Sequence, residues 1–361
     1  MAGSYDALVV GCGPVGALLA ARLGARGLHT LVVDRETAPY GLPRAVAADD
    51  EVQDLLDRAA PGLLDGAVQD VPVRFVGARG QVVGELRFPP GPSGLPGLVL
   101  FSQPALEERL RAHLATLSSV EVRLGTALRA YAQDDDGVTA ELDDGTTVRA
   151  DWLVGCDGAR SGVRAAAGIG WHGRDLRRWL VLDAEGSLPG PDVFTYRCDP
   201  RGPSVDMPLP GGHRWEWLLD DGAPVPTPAV PDGVRVIRSV VYRYGARRAS
   251  SWRSGRVLLA GDAAHTMPPF AGQGLGAGVR DAWALGELLP DRVEQYEPLR
   301  APHVRAMTRL SLLLGAVLET RSPSAARARD ALLGNAFRAP GVGPWLSRGG
   351  PRPTPSGVLD L

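Results

Sequence analysis

The first forty positions of the chain show a strand, a helix and a second strand in close succession. Tyr5 to Val10 is a short apolar run, and after a glycine-rich turn an Ala/Leu-rich stretch continues to Arg26. A second apolar run, Thr30 to Val33, ends at Asp34. Apolar runs on either side of a helix-length segment are typical of a βαβ unit. The pattern therefore predicts that the chain opens with a dinucleotide-binding unit.

Further along the chain, the apolar spacing predicts two more helices and a long strand-rich part. Residues 49–59 form a short helical pattern with an acidic first turn, and Gln103 to Leu117 has its leucines on one helical face. After Gly272 the pattern is mostly helical to about Phe337. The remaining predicted strands are apolar runs broken by Gly and Pro, at residues 71–100, 120–150, 152–154, 179–244 and 257–260.

Composition and charge exclude some classes of function. The 361 residues carry 39 basic and 41 acidic side chains, so no global field favours nucleic acid or a membrane surface. Every basic residue is Arg, and the absence of Lys excludes mechanisms that need an ε-amine. Cys12, Cys156 and Cys198 lack metal-type spacing, and no apolar stretch approaches the length of a membrane span. We expect a cytoplasmic enzyme without a metal site, and the sequence leaves monomer and homodimer open.

The turn after the first strand contains three glycines with separate tasks. Gly11 permits a tight turn, Gly13 lets backbone approach a pyrophosphate, and Gly16 lets helix and strand pack closely. The following helix would direct its free N–H groups at the phosphates. Asp34 stands where a carboxylate can bind both hydroxyls of an adenosine ribose. These residues predict a dinucleotide but do not distinguish FAD from NAD.

Two glycine–aspartate motifs follow later buried strands. Asp157-Gly158 comes after the 152–154 run, and Gly261-Asp262 comes after the 257–260 run. Together with the first turn, in this order, they resemble the class A flavoprotein monooxygenases, the para-hydroxybenzoate hydroxylase family. A finer resemblance is to the branch with 3-(3-hydroxyphenyl)propionate and resorcinol hydroxylases. It rests on residues 43–46, 49–51, 198–200 and 213–217.

The resemblance implies an α/β fold with a Rossmann-like FAD-binding domain, an inserted antiparallel β-sheet substrate domain and a helical C-terminal region. The FAD-binding domain would be discontinuous, comprising residues 1–70, 98–175 and 250–290. The substrate domain would comprise residues 71–97 and 176–249, and the helical region with its Pro/Gly-rich tail residues 291–361.

The resemblance also assigns contacts to the cofactor. Arg44 would approach the FAD phosphates and Gln103 the ribitol, while Asp157 would serve both FAD and NAD(P)H. The N–H groups of Leu275 and Gly276 would face the pyrimidine edge of the flavin, where a helix N-terminus stabilises negative charge. Relatives usually carry Asn where Gly276 stands. The predicted cofactor residues are Gly11, Gly13, Gly16, Asp34, Arg35, Arg44, Gln103, Asp157, Gly261, Asp262, Gly274, Leu275 and Gly276.

The implied reaction is hydroxylation of a phenol-like ring, and composition and compactness suggest natural-product tailoring. As the resemblance implies, NAD(P)H would reduce FAD, O2 would add at flavin C4a, and the hydroperoxide would attack an electron-rich carbon. Because phenolate is a better nucleophile than phenol, a nearby proton acceptor or basic residue should help. The substrate-side candidates are Tyr242, Tyr244, His213 and Arg214, and the candidates for the flavin-face loop are Pro268 and Pro269.

Each candidate also has a purely structural interpretation. Tyrosines on an antiparallel sheet usually pack, and His213-Arg214 is compatible with a solvated turn. A flavin-dependent halogenase is excluded because that chemistry needs an active-site Lys. Two alternatives stay open: an FAD-dependent reductase or dehydrogenase without oxygen insertion, and a non-catalytic flavin-binding scaffold that senses redox state. The sequence decides neither the aromatic substrate nor the preference for NADH or NADPH.

Overall fold

The computed structural model describes residues 4–39, 41, 44–349 and 356–361. Pro43, part of the branch signature, and the tail residues 350–355 lie outside the described residues. The strands are β1 Ser4–Val10, β2 Thr30–Asp34, β3 Ala47–Asp49, β4 Val68–Gln69, β5 Val73–Val76, β6 Val82–Leu86, β7 Leu98–Leu100, β8 Val120–Leu124, β9 Leu128–Gln133, β10 Val138–Leu142, β11 Thr147–Gly155, β12 Trp171–Glu185, β13 Phe194–Arg197, β14 Ser204–Leu209, β15 Gly212–Leu219, β16 Arg235–Ala249, β17 Arg253–Ser254, β18 Val257–Leu259 and β19 His265–Thr266. The helices are α1 Pro14–Ala25, α2 Asp50–Ala59, α3 Gln103–Leu114, α4 Gly162–Ala166, α5 Gln273–Leu288, α6 Tyr296–Leu318, α7 Pro323–Arg338 and α8 Val342–Ser347.

The first sheet has the order β17-β18-β11-β1-β2-β8, and its pairs from β18 to β8 are all parallel. Strands β1, β2 and β18 are nearly continuous apolar runs because both faces of a parallel sheet are covered. Helix α1 covers one side with Leu18, Leu19 and Leu23, which are fully buried. The carboxyl ends of β1, β11 and β18 therefore lie side by side, although β18 follows β1 by about 250 positions in the sequence.

The second sheet has the order β19-β16-β12-β15-β14-β13-β5-β6. Its pairs are antiparallel except for β13 with β5, and its long strands β12 and β16 are neighbours. This is the inserted antiparallel sheet that the sequence predicts. A small third sheet, β3-β7-β4, lies within the remaining part.

The two large sheets are connected directly after β18. The chain turns at Gly261, and β19 then pairs with β16, with Thr266 opposite Arg247. The segment from residue 261 to the start of α5 thus runs from the edge of the first sheet to the second. Within the described residues, no helix combines the length and the apolarity that a membrane crossing requires.

Candidate active site

The turn between β1 and α1 leaves room for a ligand at one glycine only. Gly11 has φ +105°, and a Cβ there would lie 2.5 Å from the Cys156 carbonyl oxygen. A Cβ at Gly16 would overlap the carbonyl oxygen of Gly11. At Gly13, by contrast, no protein atom lies within 4 Å of the position that a Cβ would take, and no side chain caps α1 there. The first helix therefore presents free N–H groups to open space.

Asp34 is held rigidly at the end of β2. Its Oδ2 accepts a hydrogen bond from the Cys12 backbone N–H at 2.6 Å, and its Oδ1 accepts one from Glu36 N–H at 2.9 Å. The carboxylate thus lies against the glycine turn, at the position predicted for ribose binding. Arg35 differs, because its side chain is exposed and pairs with Glu36 at 3.2 Å.

The two later aspartates end the neighbouring strands β11 and β18. Asp157 Oδ2 accepts from the Val163 N–H at 3.1 Å, while its Oδ1 is buried without a hydrogen-bond partner among the described residues. Asp262 is solvent-accessible but surrounded by protein, as on the floor of a groove. Desolvation there raises the pKa of Asp262, and the charges of His265 and Arg44 oppose that rise.

Asp281, in α5, fixes the turn that carries Asp262. It is fully buried, and its Oδ2 accepts from the Gly261 N–H at 3.1 Å and lies 2.6 Å from His265 Nε2. Its Oδ1 accepts from Arg300 Nε of α6 at 2.9 Å. Burial alone would raise the pKa of Asp281, but His265 and Arg300 together lower it.

The N-terminus of α5 is the second open helix end. Gly272 adopts a left-handed conformation with φ +63°, and no side chain caps the helix. No protein atom lies within 4 Å of a Cβ position at Gly274, and Leu275 is half-buried. At Gly276 a Cβ would lie 2.9 Å from Arg280 Nη1. The Arg280 guanidinium thus occupies part of the space that a side chain at position 276 would need.

Gln103, the first residue of α3, lies beside the segment that contains Arg44. Gln103 Oε1 accepts from the Ala45 N–H at 2.7 Å, and its Nε2 donates to Glu107 at 2.7 Å. The Oε1 end of the Gln103 amide therefore ties the segment after Arg44 to α3, and the bond to Glu107 within α3 fixes the orientation of the amide. Arg44 is exposed, and its carbonyl oxygen accepts from Arg214 Nη1 at 3.0 Å.

Arg111 is a site residue that prediction from sequence misses. Its Nη2 donates to the Cys12 carbonyl at 3.2 Å, and its Nε and Nη1 are buried without a hydrogen-bond partner in the described part of the chain. Buried polar atoms are rarely left unpaired, so these two nitrogens fit an anionic ligand at the glycine turn. The spacing of Gln103, Glu107 and Arg111, four residues apart on one helical face, could have revealed it.

These features together fit FAD. Two uncapped helix N-termini suit a pyrophosphate and a flavin edge, and Asp34 and Asp262 suit ribose and ribitol hydroxyls. Arg111 and Asp157, which both have buried atoms unpaired within the described residues, adjoin the glycine turn: Arg111 donates to the Cys12 carbonyl oxygen, and the backbone at Asp157 lies against Gly11. Among the predicted cofactor residues, Arg35 is exposed and pairs with Glu36 on the surface, and Arg44 is exposed as well.

The second sheet presents one face to the loop that precedes α5. Trp179 and Tyr244 place their rings 6.1 and 5.6 Å from the ring of Phe270. Tyr196 also donates from its hydroxyl to the Phe270 carbonyl oxygen at 3.3 Å. We call this side of the sheet the inner face. Directly before Phe270, Pro268 is buried and Pro269 is exposed.

Strand alternation separates the substrate-side candidates. Tyr242 is the cross-strand partner of Trp179, so it lies on the inner face, as do Tyr244, Arg214 and Glu216. His213 lies on the opposite side, where it pairs with Asp206 and its ring lies 4.6 Å from that of Trp215. The structure therefore does not bring His213 together with the tyrosines.

The inner face carries a buried network of charges. Arg214 binds Asp183 through Nε at 2.6 Å and Nη2 at 3.0 Å, and Arg238 lies 3.4 Å from Asp183. Glu216 is 8% exposed and lies 3.7 Å from Arg214 Nη1. Desolvation raises the pKa of Glu216, and it raises the pKa of Tyr242 well above its usual value of 10.

Tyr244 serves a different purpose from Tyr242. Its hydroxyl donates to Glu319 Oε2 at 2.7 Å, and the Trp179 indole donates to Glu319 Oε1 at 2.9 Å. Glu319 follows the last residue of α6, so this contact anchors the helix to the sheet. Burial and the Glu319 carboxylate raise the pKa of Tyr244.

Comparison with known proteins agrees with this geometry. The sequence profile of a family described as FAD binding domain matches residues 4–205 and 229–311. A 3-(3-hydroxy-phenyl)propionate/3-hydroxycinnamic acid hydroxylase of Mycolicibacterium smegmatis is 35% identical, over 94% of this chain and 66% of the relative. A second hydroxylase of that name, from Burkholderia vietnamiensis, is 35% identical, over 96% of this chain and 69% of the relative. The chain thus spans just under two thirds of the first relative.

Solved structures give the same result. The p-nitrophenol 4-monooxygenase of Pseudomonas putida superposes with a TM-score of 0.85 at 25% identity, covering 98% of this chain and all of the other. An aklavinone-11 hydroxylase, solved with FAD and aklavinone, superposes with a TM-score of 0.75 at 25% identity, covering 98% of this chain and 72% of the other. The predicted fold class is confirmed, and the chain belongs to the class A FAD-dependent aromatic monooxygenases, in the branch of the 3-(3-hydroxyphenyl)propionate hydroxylases.

Proposed function

We propose that the protein is an FAD-dependent monooxygenase that hydroxylates a phenol-like aromatic substrate with NAD(P)H and O2. One observation carries the proposal. The groove that fits FAD and the inner face of the second sheet meet at the loop 268–271, so a ring held on that face would adjoin the flavin edge of α5. The curated relatives described above are named as hydroxylases of phenolic acids, and the Pseudomonas putida structure as a p-nitrophenol monooxygenase, which supports the same reaction class.

The residues of the chain would divide the work between holding the cofactor and placing the ring. FAD would supply the redox chemistry, taking electrons from NAD(P)H and activating dioxygen. Gly13 and Arg111 would hold the pyrophosphate, and Asp34 and Asp262 the sugar hydroxyls. Free N–H groups at the start of α5 would stabilise negative charge on the flavin, by about 0.3–2 kcal/mol.

The inner face would bind and orient the aromatic ring. Phe270, Trp179 and Tyr196 form an apolar aromatic wall beside the loop, which excludes water from the reacting carbon. Tyr242 offers a hydroxyl that is bound to no other described residue, and its raised pKa keeps it a hydrogen-bond donor at neutral pH. Such a donor can hold a phenol oxygen and thereby set which ring carbon faces the flavin.

The test is NAD(P)H oxidation by the FAD-loaded protein, screened against a panel of phenols, with product mass measured under labelled dioxygen. We expect at least one phenol that accelerates oxidation and gains one labelled oxygen atom. Stimulated oxidation without oxygen in any product would instead indicate the reductase or dehydrogenase. Tight FAD binding with negligible oxidation under every phenol would indicate the redox-sensing scaffold.

A further inference from the structure

Glu216 is a buried carboxylate on the inner face that can still accept a hydrogen bond or a proton. It is 8% exposed, and its nearest charged partner among the described residues is Arg214 Nη1, at 3.7 Å. That separation is longer than a hydrogen bond. Glu216 lies on the same face of the sheet as Tyr242. Its cross-strand partner on β12 is Val181, whose partner on β16 is Val240, and Val240 is two positions before Tyr242 on the same face.

The other carboxylates nearby, Asp183 and Glu319, already accept hydrogen bonds from protein donors. Asp183 is fully buried and accepts two hydrogen bonds from Arg214, with Arg238 at 3.4 Å. Both oxygens of Glu319 accept hydrogen bonds, from Tyr244 and Trp179. A carboxylate that accepts strong hydrogen bonds from fixed donors is a weaker base than one without them. Glu216 is therefore the carboxylate of this face best able to accept a proton.

The groups around Glu216 act on its pKa in opposite directions. Burial raises the pKa of Glu216, Asp183 adds to that rise, and the two arginines oppose it. The negative charge of Glu216 in turn raises the pKa of both inner-face tyrosines nearest to it. The charged and titratable groups that face Glu216, from its own strand and from the other strands of the sheet, are Arg214, Asp183, Arg238, Tyr242 and Tyr196.

We propose that Glu216 is the proton acceptor that ionises the bound phenol, and that Tyr242 donates a hydrogen bond to the phenolate oxygen that results. The inference rests on the proposed function for the identity of the ligand as a phenol. In the step, the phenol O–H bond breaks and an O–H bond forms on the Glu216 carboxylate. The electron pair stays on the phenol oxygen, so no oxidant or reductant is required. Arg214, whose Nη1 lies 3.7 Å away, stabilises Glu216 while it is charged.

The first experiment detects ionisation without turnover. A nitrophenol that binds saturably to the FAD-loaded protein is mixed with it in the absence of NAD(P)H, at a pH where the free phenol is neutral. We expect a phenolate absorption band to appear on binding to the wild-type protein and to be lost in Glu216→Gln. Binding of the neutral phenol by the wild-type protein would overturn the proposal, whatever the variant does.

A second experiment uses two substrates that differ in acidity. For a phenol with a pKa near 10, hydroxylation by Glu216→Gln should fall at least about tenfold at pH 7 and recover as the pH approaches 10. For an acidic phenol that is already ionised at pH 7, it should stay within about twofold of wild type. An equal loss for both phenols would show that Glu216 has only a structural role.

The matched control is Glu185→Gln, on strand β12 of the same sheet, where Glu185 is exposed and pairs with Arg235. It should leave both the phenolate band and the acidity dependence unchanged. The two proposals can fail separately. A phenolate band without any hydroxylated product would remove the proposed function and keep the role of Glu216, whereas hydroxylation without the band would do the reverse.

Discussion

At the scale of single residues, two glycines of the first turn, Gly13 and Gly16, have different surroundings and therefore different roles. Gly13 and Gly16 belong to the same turn and stand three positions apart. Space for a methyl group exists at Gly13 but is taken by backbone at Gly16. Gly13 also has φ −75° and ψ −175°, which alanine adopts freely. We therefore attribute Gly13 to the binding of the ligand and Gly16 to the packing of the fold.

This contrast gives a prediction for two alanine variants. Gly13→Ala should fold with the stability of the wild-type apoprotein but bind FAD at least about tenfold more weakly, since its methyl group would occupy the pyrophosphate position. Gly16→Ala should lose at least about 3 kcal/mol of stability, or fail to fold, because backbone cannot yield as a side chain does. Urea unfolding of the apoproteins and fluorescence titration with FAD would measure both. Unchanged FAD affinity in Gly13→Ala would contradict the site.

At the scale of elements, Asp281 joins three parts of the fold at one carboxylate. It binds the turn before Asp262 through the Gly261 N–H, the strand β19 through His265, and helix α6 through Arg300. The lowered pKa of Asp281 makes its contribution pH-dependent. Since the folded-state pKa lies below the unfolded value, its stabilisation is present above about pH 4 and lost as the pH falls further.

We therefore expect Asp281→Asn to destabilise the protein by about 3–5 kcal/mol at pH 7, because it leaves the Arg300 guanidinium buried without its counter-charge. FAD affinity should fall as well, since the turn carrying Asp262 loses its anchor. Chemical denaturation at pH 7 and at about pH 3, below the unfolded pKa of an aspartate, would measure the effect. The difference between variant and wild type should be smaller at about pH 3, and a constant difference would contradict the electrostatic explanation.

Elements that depend on local spacing are those that the sequence predicts well. Helix α1 and strand β2 follow from apolar runs within forty positions, and the cap of α2 from Asp49, whose side chain accepts from the Val52 N–H. Helix α3 ends at Leu114, before the predicted end at Leu117, because the chain must turn into β8. The pairing of β18 with β11 lies beyond local spacing, since it joins residues about 100 positions apart.

The candidate site, like the fold, is predictable from sequence only where a local pattern marks its residues. The glycine turn and the acidic strand ends are marked by residue type, so the sequence finds them. The strand His213 to Trp217 alternates between two faces, but alternation does not say which face is inside. Prediction from sequence therefore groups His213 with Tyr242 and omits Glu216. Arg111 is missed because a single arginine on a helix becomes informative only when its nitrogens are seen to be buried and unpaired.

At the scale of the whole molecule, the two faces of the second sheet should differ in function. Tyr242→Phe removes an inner-face hydroxyl and should weaken phenol binding by roughly fivefold, about 1 kcal/mol, while FAD binding stays unchanged. His213→Ala removes an outer-face ring and should leave phenol affinity within about twofold. Titration of each FAD-loaded variant with the best phenol from the screen would measure this. A larger effect of His213→Ala than of Tyr242→Phe would reverse the assignment of the faces.

We propose that one cofactor groove and one sheet face converge on a single reacting ring. A crystal structure of the chain with FAD and a phenol tests it most directly. We expect the pyrophosphate at Gly13 and Arg111, the flavin edge at the start of α5, and the phenol oxygen within hydrogen-bond distance of Tyr242. A flavin bound elsewhere, or a phenol on the His213 side of the sheet, would contradict it.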